Sequence, residues 1–249
     1  MTKLMILGTA NAIPDEAHEN THLAVVGKRG ITLIDCASNP ILRLKQAGLD
    51  HNDLIDIILT HFHPDHVSGF PLLLMGMGLL KRQSPLNVLG INHTINRMKK
   101  LLEFYESETW YEFELTFNRV PHEEMTLIKE TEEYRVFSSP VRHFIPAIGL
   151  RFEFHRSGKV VVYSSDTSPS PMVVRLAKDA DLLIHEAAGV SIGHSSASQA
   201  GEVAQQARVR ELLLIHYPTH SDPERMKAEA AESYDGPVDL ARDLMSLEF

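Results

Sequence analysis

Leu59-Thr60-His61-Phe62-His63-Pro64-Asp65-His66-Val67-Ser68-Gly69 packs three histidines and an aspartate into six consecutive positions. Imidazole nitrogen and carboxylate oxygen are the donors that borderline divalent ions such as zinc prefer. The preceding run, Leu54 to Thr60, is rich in β-branched and apolar residues and reads as a buried strand. Pro64 and Gly69 bracket a turn into the apolar run that starts at Phe70. Side chains at i and i+2 of an extended backbone share a face, so His61 and His63 can grip one ion. Asp65 and His66, at the turn, can serve a second ion nearby. Solvated loop histidines are the ordinary explanation for a single His. Four ligand-type residues in this order at a strand end read instead as a metal site.

The order His-x-His-x-Asp-His resembles the signature of the metallo-β-lactamase superfamily. That resemblance implies two metal ions held between two β-sheets flanked by helices, with further ligands downstream.

The bounds set by composition agree with a soluble enzyme. The 249 residues are 43% hydrophobic, ordinary for a globular chain with a core. A single cysteine, Cys36, rules out an intrachain disulfide and suits a reducing compartment, so the expected location is cytoplasmic. The N-terminal apolar patch is too short for a signal peptide. The longest apolar run, Phe70 to Leu80, is about half of the ~20 residues that span a bilayer. The formal charge of −9 opposes the approach of a polyanion, and the basic clusters Lys81-Arg82 and Arg97 to Lys100 are small. Between Glu103 and Glu133 glutamates are interleaved with aromatics and only Arg119 and Lys129 oppose them; this reads as an interface or pocket wall.

Outward from the metal stretch, strands are predicted at Lys3–Thr9, Asn20–Val26, Ile31–Asp35, Leu54–Thr60, Asn87–Gly90, Met125–Glu130 and Tyr134–Ser138. Ile148–His155 and Lys159–Tyr163 form a hairpin, followed by strands at Asp181–Ile184 and Glu211–Ile215 and a short last one near Leu247. Helices are predicted at Ile41–Ala47 (capped by Ser38 or Asn39), Phe70–Lys81, Ile95–Tyr105, from Pro169 or Pro171 to Ala177, Ser196–Ala207 and Pro223–Ser233. The Phe70–Lys81 helix is apolar nearly all round and should be buried. This order predicts one α/β domain over residues 1–249, a four-layer αβ/βα sandwich with the metallo-β-lactamase fold.

His143, Asp166 and His216 each close or follow a predicted strand. Each alone could be a cap or a core residue. By the resemblance, His61, His63 and His143 hold one ion, Asp65, His66 and His216 the other, and Asp166 bridges them. Two cations ~3.5–4 Å apart need a shared anion, and a water between them would ionise near neutral pH to act as nucleophile. The ions implied are divalent, zinc first, with manganese or iron as alternatives. Asp35 could cap a helix; the resemblance favours a buttress for the metal loop.

Two more motifs resemble the ribonuclease Z branch: Leu182 to Ala187, and Gly193-His194-Ser195-Ser196-Ala197. In that branch the residues matching Glu186 and His194 protonate the leaving oxygen, which places them with Asp65 in the catalytic set. His194 as a loop or N-cap histidine is the alternative. His185 reads as structural, and His22 could line the pocket. His18, His51, His93, His122, His155 and His220 carry no motif support. The chain departs from the branch: no flexible tRNA-clamping arm fits between His143 and Asp166, where only the hairpin does, the loop after Pro14 is acidic (Asp15, Glu16, Glu19), and Ala37-Ser38-Asn39-Pro40 stands where the branch has a glycine-rich stretch. The expected function is therefore a binuclear hydrolase of small or short single-stranded phosphodiesters, with folded tRNA doubtful as a substrate. A ribonuclease Z-type tRNA 3′-end endonuclease is the alternative, and a lactone or sulfate-ester hydrolase a third. A non-catalytic metal-binding module is disfavoured by the intact ligand set. The resemblance also implies a homodimer.

Overall fold

The computed structural model describes residues 2–249. The chain first lays down β1 (Lys3–Gly8), β2 (His22–Gly27), β3 (Gly30–Ile34), β4 (Leu54–Leu59), β5 (Leu86–Ile91) and β6 (Leu115–Val120). It then crosses to β7 (Thr126–Glu130), β8 (Tyr134–Val141), β9 (Ala147–Phe154), β10 (Val160–Tyr163), β11 (Leu182–Glu186), β12 (Leu212–Ile215) and β13 (Val238–Leu240). The last strand, β14 (Ser246–Glu248), returns to pair with β1. Two seven-stranded sheets result, ordered β14-β1-β2-β3-β4-β5-β6 and β13-β12-β11-β10-β9-β8-β7. Strands β3 to β6 run parallel, as do β10 to β13; the hairpin-linked strands are antiparallel.

The helices are α1 (Pro40–Gln46), α2 (Pro64–Val67), α3 (Gly69–Leu79), α4 (Asn92–Phe104), α5 (Pro171–Leu176), α6 (Ala197–Ala207) and α7 (Pro223–Ala231). Alternating apolar residues of the two sheets meet in a central layer that includes Leu4, Ile6, Ile34, Val136, Phe152, Phe154 and Ile184. Helices α1, α3 and α4 cover the outer face of the first sheet through Leu44, Phe70, Leu73, Met77, Ile95 and Met98. Helices α5, α6 and α7 cover the second through Val173, Leu176, Val203, Ala204 and Ala230. Three apolar layers between four layers of structure make the αβ/βα sandwich. No helix among the described residues is long and apolar enough to cross a membrane.

Three details differ from the expectation. Helix α3 buries only one side: Leu72 and Leu79 on the other are 56% and 75% exposed. It lies in the outermost layer, where only the sheet-facing side has something to pack against. Strand β6 lies in the acidic aromatic segment and β13 lies just after α7; neither was predicted. Both are half-exposed edge strands whose charged or polar residues blur the alternation, and β13 is only three residues long. Strand β8 runs on through Pro140, which is tolerated because pairing with β7 stops at Ser138 and leaves no partner for the missing N–H.

Candidate metal centre

Parallel strands deliver the site. Their carboxyl ends open on one edge of the sandwich, where loops are free to carry functional side chains. The end of β4 leads into Thr60, His61 and His63; His63 caps the single turn of α2, which carries Asp65 and His66. His143 sits between β8 and β9, Asp166 follows β10, Glu186 ends β11, and His216 follows β12. The backbone is strained at three of these strand ends. Asp35 (φ 62°), Ser165 (φ 54°) and His216 (φ 55°) occupy the left-handed region that non-glycine residues avoid, at about 1–3 kcal/mol each.

Two donor groups share Asp166: His61, His63, His143 and Asp166 in one and Asp65, His66, Asp166 and His216 in the other, and a third of Glu186, His194 and His216 adjoins them. Asp166 belongs to both because its two oxygens part ways. Oδ2 stands 3.7 Å from His61 Nε2 and 3.9 Å from His143 Nε2. Oδ1 stands 3.4 Å from His66 Nε2 and 3.5 Å from His216 Nε2. Asp65 Oδ2 closes the second group at 3.6 Å from His66 Nε2 and 3.4 Å from His216 Nε2.

The hydrogen bonds behind these groups test whether a cation fits. His66 Nδ1 lies 2.8 Å from Asp35 Oδ2 and, donating to it, turns a bare Nε2 toward two carboxylates. His143 donates through Nδ1 to the Gly193 carbonyl at 2.7 Å, and its Nε2 is left to accept from His63 Nδ1 at 3.0 Å. The Thr60 hydroxyl gives its proton to Asp35 and is left to accept from His61 Nδ1 at 3.0 Å. His61 Nε2, His66 Nε2 and Asp166 Oδ1 are buried and unpartnered. Lone pairs crowded against lone pairs in a dry site repel, and a cation between them removes the conflict. Metal bonds of ~2.0–2.2 Å give tetrahedral edges of roughly 3.3–3.6 Å; the second group's spacings fall in that range, and the first group's 3.7 and 3.9 Å lie slightly above it. The donor sets fit two divalent ions.

Protonation follows the same logic. Burial holds His61 well below its usual range, and burial likewise lowers His63 and His143, so all three offer neutral rings. Burial opposes a charge on His66 too, but Asp166 and Asp35 outweigh it and hold His66 well above the ordinary value. Burial also works against the Asp166 carboxylate, which His216, His66 and His61 nevertheless keep ionised. Both results say that this cavity wants positive charge.

Beside the second group, Glu186 Oε1 lies 3.1 Å from His194 Nδ1. The His194 ring is stacked on His216 at 5.8 Å and meets His143 edge-on at 5.0 Å. Burial lowers the His194 pKa, but the Glu186 hydrogen bond and charge more than compensate and raise it above the usual value. Helix α6 is capped by the neighbouring Ser196 in a capping box with Gln199, so His194 is not its cap.

The structure thus brings His61, His63, Asp65, His66, His143, Asp166, His216, Glu186 and His194 together. Asp35 bonds the metal loop, and Asn39, not Ser38, caps α1. His22 does not line the mouth: it is fully buried on β2, its Nδ1 against the Asn20 carbonyl. His185 is buried on β11 with Nδ1 against the Glu186 carbonyl. Sequence reading missed Phe144, half-exposed against His143 and His194, and Gly193, whose carbonyl orients His143. The glycine in Gly193-His194 was the available signal for the second.

Residues 2–234 match the sequence family described as anti-Pycsar protein Apyc1. Ribonuclease Z of Methanothermobacter thermautotrophicus is 28% identical over 306 aligned residues, covering 100% of this chain and 97% of that protein. Among solved structures, the metallo-β-lactamase fold protein YhfI of Bacillus subtilis superimposes with a TM-score of 0.85 at 22% identity, covering 100% of this chain and 99% of that one. The short form of human tRNase Z superimposes with a TM-score of 0.79 at 23% identity, covering 99% and 98%. These two likenesses establish the metallo-β-lactamase fold.

Proposed function

The chain belongs to the family of the anti-Pycsar protein Apyc1, and we propose that it cleaves small or short single-stranded phosphodiesters. It is a ribonuclease Z-like, metal-dependent hydrolase of the metallo-β-lactamase fold. In this reading residues 1–249 act as one hydrolase domain in the cytoplasm. His61, His63, His143 and Asp166 would hold one divalent ion, and Asp65, His66, His216 and Asp166 the other, with zinc the first choice and manganese or iron the alternatives. When bound, such ions supply charge for the phosphoryl oxygens and lower the pKa of a coordinated water.

The observation that carries the diester assignment is the His194–Glu186 pair at 3.1 Å, beside both donor groups. A diester expels an alkoxide, a poor leaving group unless it is protonated as it departs. Glu186 fixes His194 through Nδ1, keeps it protonated more readily than a free imidazole, and leaves Nε2 to hand over a proton. A lactone also expels an alkoxide, but from a tetrahedral intermediate already formed, so it needs the proton less and ranks lower; a sulfate ester ranks lower because the curated relatives bear a ribonuclease's name.

Substrate size follows from charge and from what joins His143 to Asp166. The chain carries −9, and only β9, β10 and their turn occupy that span. A folded tRNA has little positive surface to approach. A ribonuclease Z-type endonuclease remains the second reading because the curated relatives bear that name. Turnover of a chromogenic phosphodiester, a set of cyclic nucleotides and a tRNA precursor under one condition separates the two. Efficient cleavage of the precursor at physiological salt with negligible turnover of small diesters overturns the first. A homodimer belongs to the same proposal, and the mass in solution tests it.

A further inference from the structure

Exposed apolar side chains are unremarkable singly, but here three stand on the two loops that carry His143 and His194. Phe144 directly follows the ligand candidate His143 and is 58% exposed. One side of its ring packs on Gly193, where a Cβ would come within 2.8 Å of Phe144 Cδ2. Its centroid lies 5.3 Å from the His143 ring and 6.0 Å from the His194 ring, both approached edge-on. The remaining face is open. Val190 and Ile192, each 81% exposed, stand on the short loop between Glu186 and His194. That loop is bounded by Gly189 (φ 114°) and Gly193 (φ 80°) and anchored at Ala188 N to Glu186 Oε2, at Gly189 N to the Ser195 carbonyl, and at Gly193 N to Ser168 Oγ. Its backbone is fixed while its two large apolar side chains point away from any core. Apolar groups held out to solvent by an anchored loop are in place to bind something apolar.

Position says which part of the substrate that is. His194 uses Nδ1 on Glu186, so its free nitrogen marks where the leaving oxygen departs. Phe144 borders His194, their ring centroids 6.0 Å apart. Resting on the phosphodiesterase reading, we infer that Phe144, with Val190 and Ile192, walls the leaving-group side of the centre and selects diesters whose leaving group presents a flat apolar face. A group stacked on Phe144 is also held in line for proton transfer from His194. The phosphate is left to the metal side.

Two diesters sharing one non-leaving group test this, one with a 1-naphthyl and the other with a hexafluoroisopropyl leaving group, which are matched in acidity. The wild-type protein should prefer the naphthyl diester. Stacking on an aromatic side chain corresponds to about ten- to a hundred-fold, so Phe144→Ala should cut the preference in kcat/KM by about ten-fold or more, chiefly through KM. Phe144→Trp should restore it. The Val190→Ser/Ile192→Ser double variant should lower it less. Leu79→Ala, on the far face of α3, should leave the ratio as it is. Binding of 1-naphthol, followed by its own fluorescence, should weaken in step with the ratio, and metal content should not change. If both diesters are cleaved and Phe144→Ala slows them by the same factor, the leaving-group wall is wrong while the phosphodiesterase reading stands. If the wild-type protein cleaves neither, that reading falls and this inference with it.

Discussion

Glu186 Oε1 accepts from the backbone N–H of Thr167 at 3.0 Å and of Ser195 at 3.1 Å while holding His194 Nδ1 at 3.1 Å. Oε2 takes the Ala188 N–H at 2.9 Å. One fully buried carboxylate therefore ties the loop after β10, the loop after β11 and His194 into one unit. Structural and chemical roles can be separated by substitution. Glu186→Ala strands the buried N–H groups of Thr167 and Ser195, each worth about 1–3 kcal/mol, and the half-buried one of Ala188, and should lower the melting temperature sharply. Glu186→Gln keeps an acceptor, so the fold should hold while the charge that raises the His194 pKa is lost. Equal melting temperatures for the alanine variant and the wild type would show that these bonds do not hold the loops.

Metal content follows from the split of Asp166 between the two donor groups. Two ions per chain are expected at saturation. His216→Ala should weaken one selectively, because its Nε2 faces only Asp65 and Asp166 Oδ1. Asp166→Ala should weaken both. Elemental analysis of the purified variants decides this, and a wild type that never exceeds one ion refutes the paired centre.

Gly193 makes a sharper test of how the centre is oriented. At φ 80° it sits where side chains are strained, and a Cβ there would meet Phe144 at 2.8 Å and His143 Nδ1 at 3.0 Å. Gly193→Ala should cost about 1–2 kcal/mol of stability and disturb the carbonyl that fixes His143. Affinity for one ion should fall measurably more than for the other. Unchanged affinity for both would mean that His143 needs no such orientation.

How far these features could be read from the chain depends on how local they are. His61 to His66 are contiguous, so ligand chemistry and strand periodicity speak together. Leu182 to Ile184 and Leu212 to Ile215 are apolar runs followed by a polar residue, His185 and His216, which marks where a buried strand reaches the open edge. The outer side of α3 and the strand β6 were misjudged or missed because composition does not tell which layer is outermost. Phe144 was missed for another reason. Its meaning depends on Gly193 and His194, some 50 positions away, and tertiary packing alone brings them together. The same holds for the three backbone groups gathered by Glu186: a carboxylate in sequence says nothing of which N–H groups will face it.

His22 gives a pH signature remote from the metal ligands in sequence. Burial pushes its pKa down from 6.5 to about 4, partly offset by the bond to the Asn20 carbonyl. A neutral ring in the fold and a protonatable one in the unfolded chain mean that the unfolded state binds more protons below pH 6.5. Stability from this group is therefore complete above about 6.5 and is lost as pH falls toward about 4. At pH 5 the loss comes to about 2 kcal/mol. Urea denaturation at pH 7.5 and pH 5 should show a smaller acid loss for His22→Asn than for the wild type. Identical losses would mean that His22 is not kept neutral by the fold.

His194 carries the heaviest claim. If it protonates the leaving oxygen, His194→Ala should keep the fold and both ions, since it contributes to neither of the two donor groups around Asp166. Turnover of diesters with alcohol-like leaving groups should fall by about 10²–10⁴-fold, the usual worth of a positioned acid. The loss should shrink as the leaving group becomes acidic enough to depart without a proton. Combined with Glu186→Gln the losses should not multiply, because the pair acts as one unit. A histidine that only packs between His143 and His216 would behave otherwise, lowering stability or slowing every ester alike. Rate against leaving-group acidity, measured for wild type and variant over one series of diesters, separates these cases. A variant slope equal to that of the wild type removes His194 from proton transfer, and with it the preference for phosphodiesters over other esters.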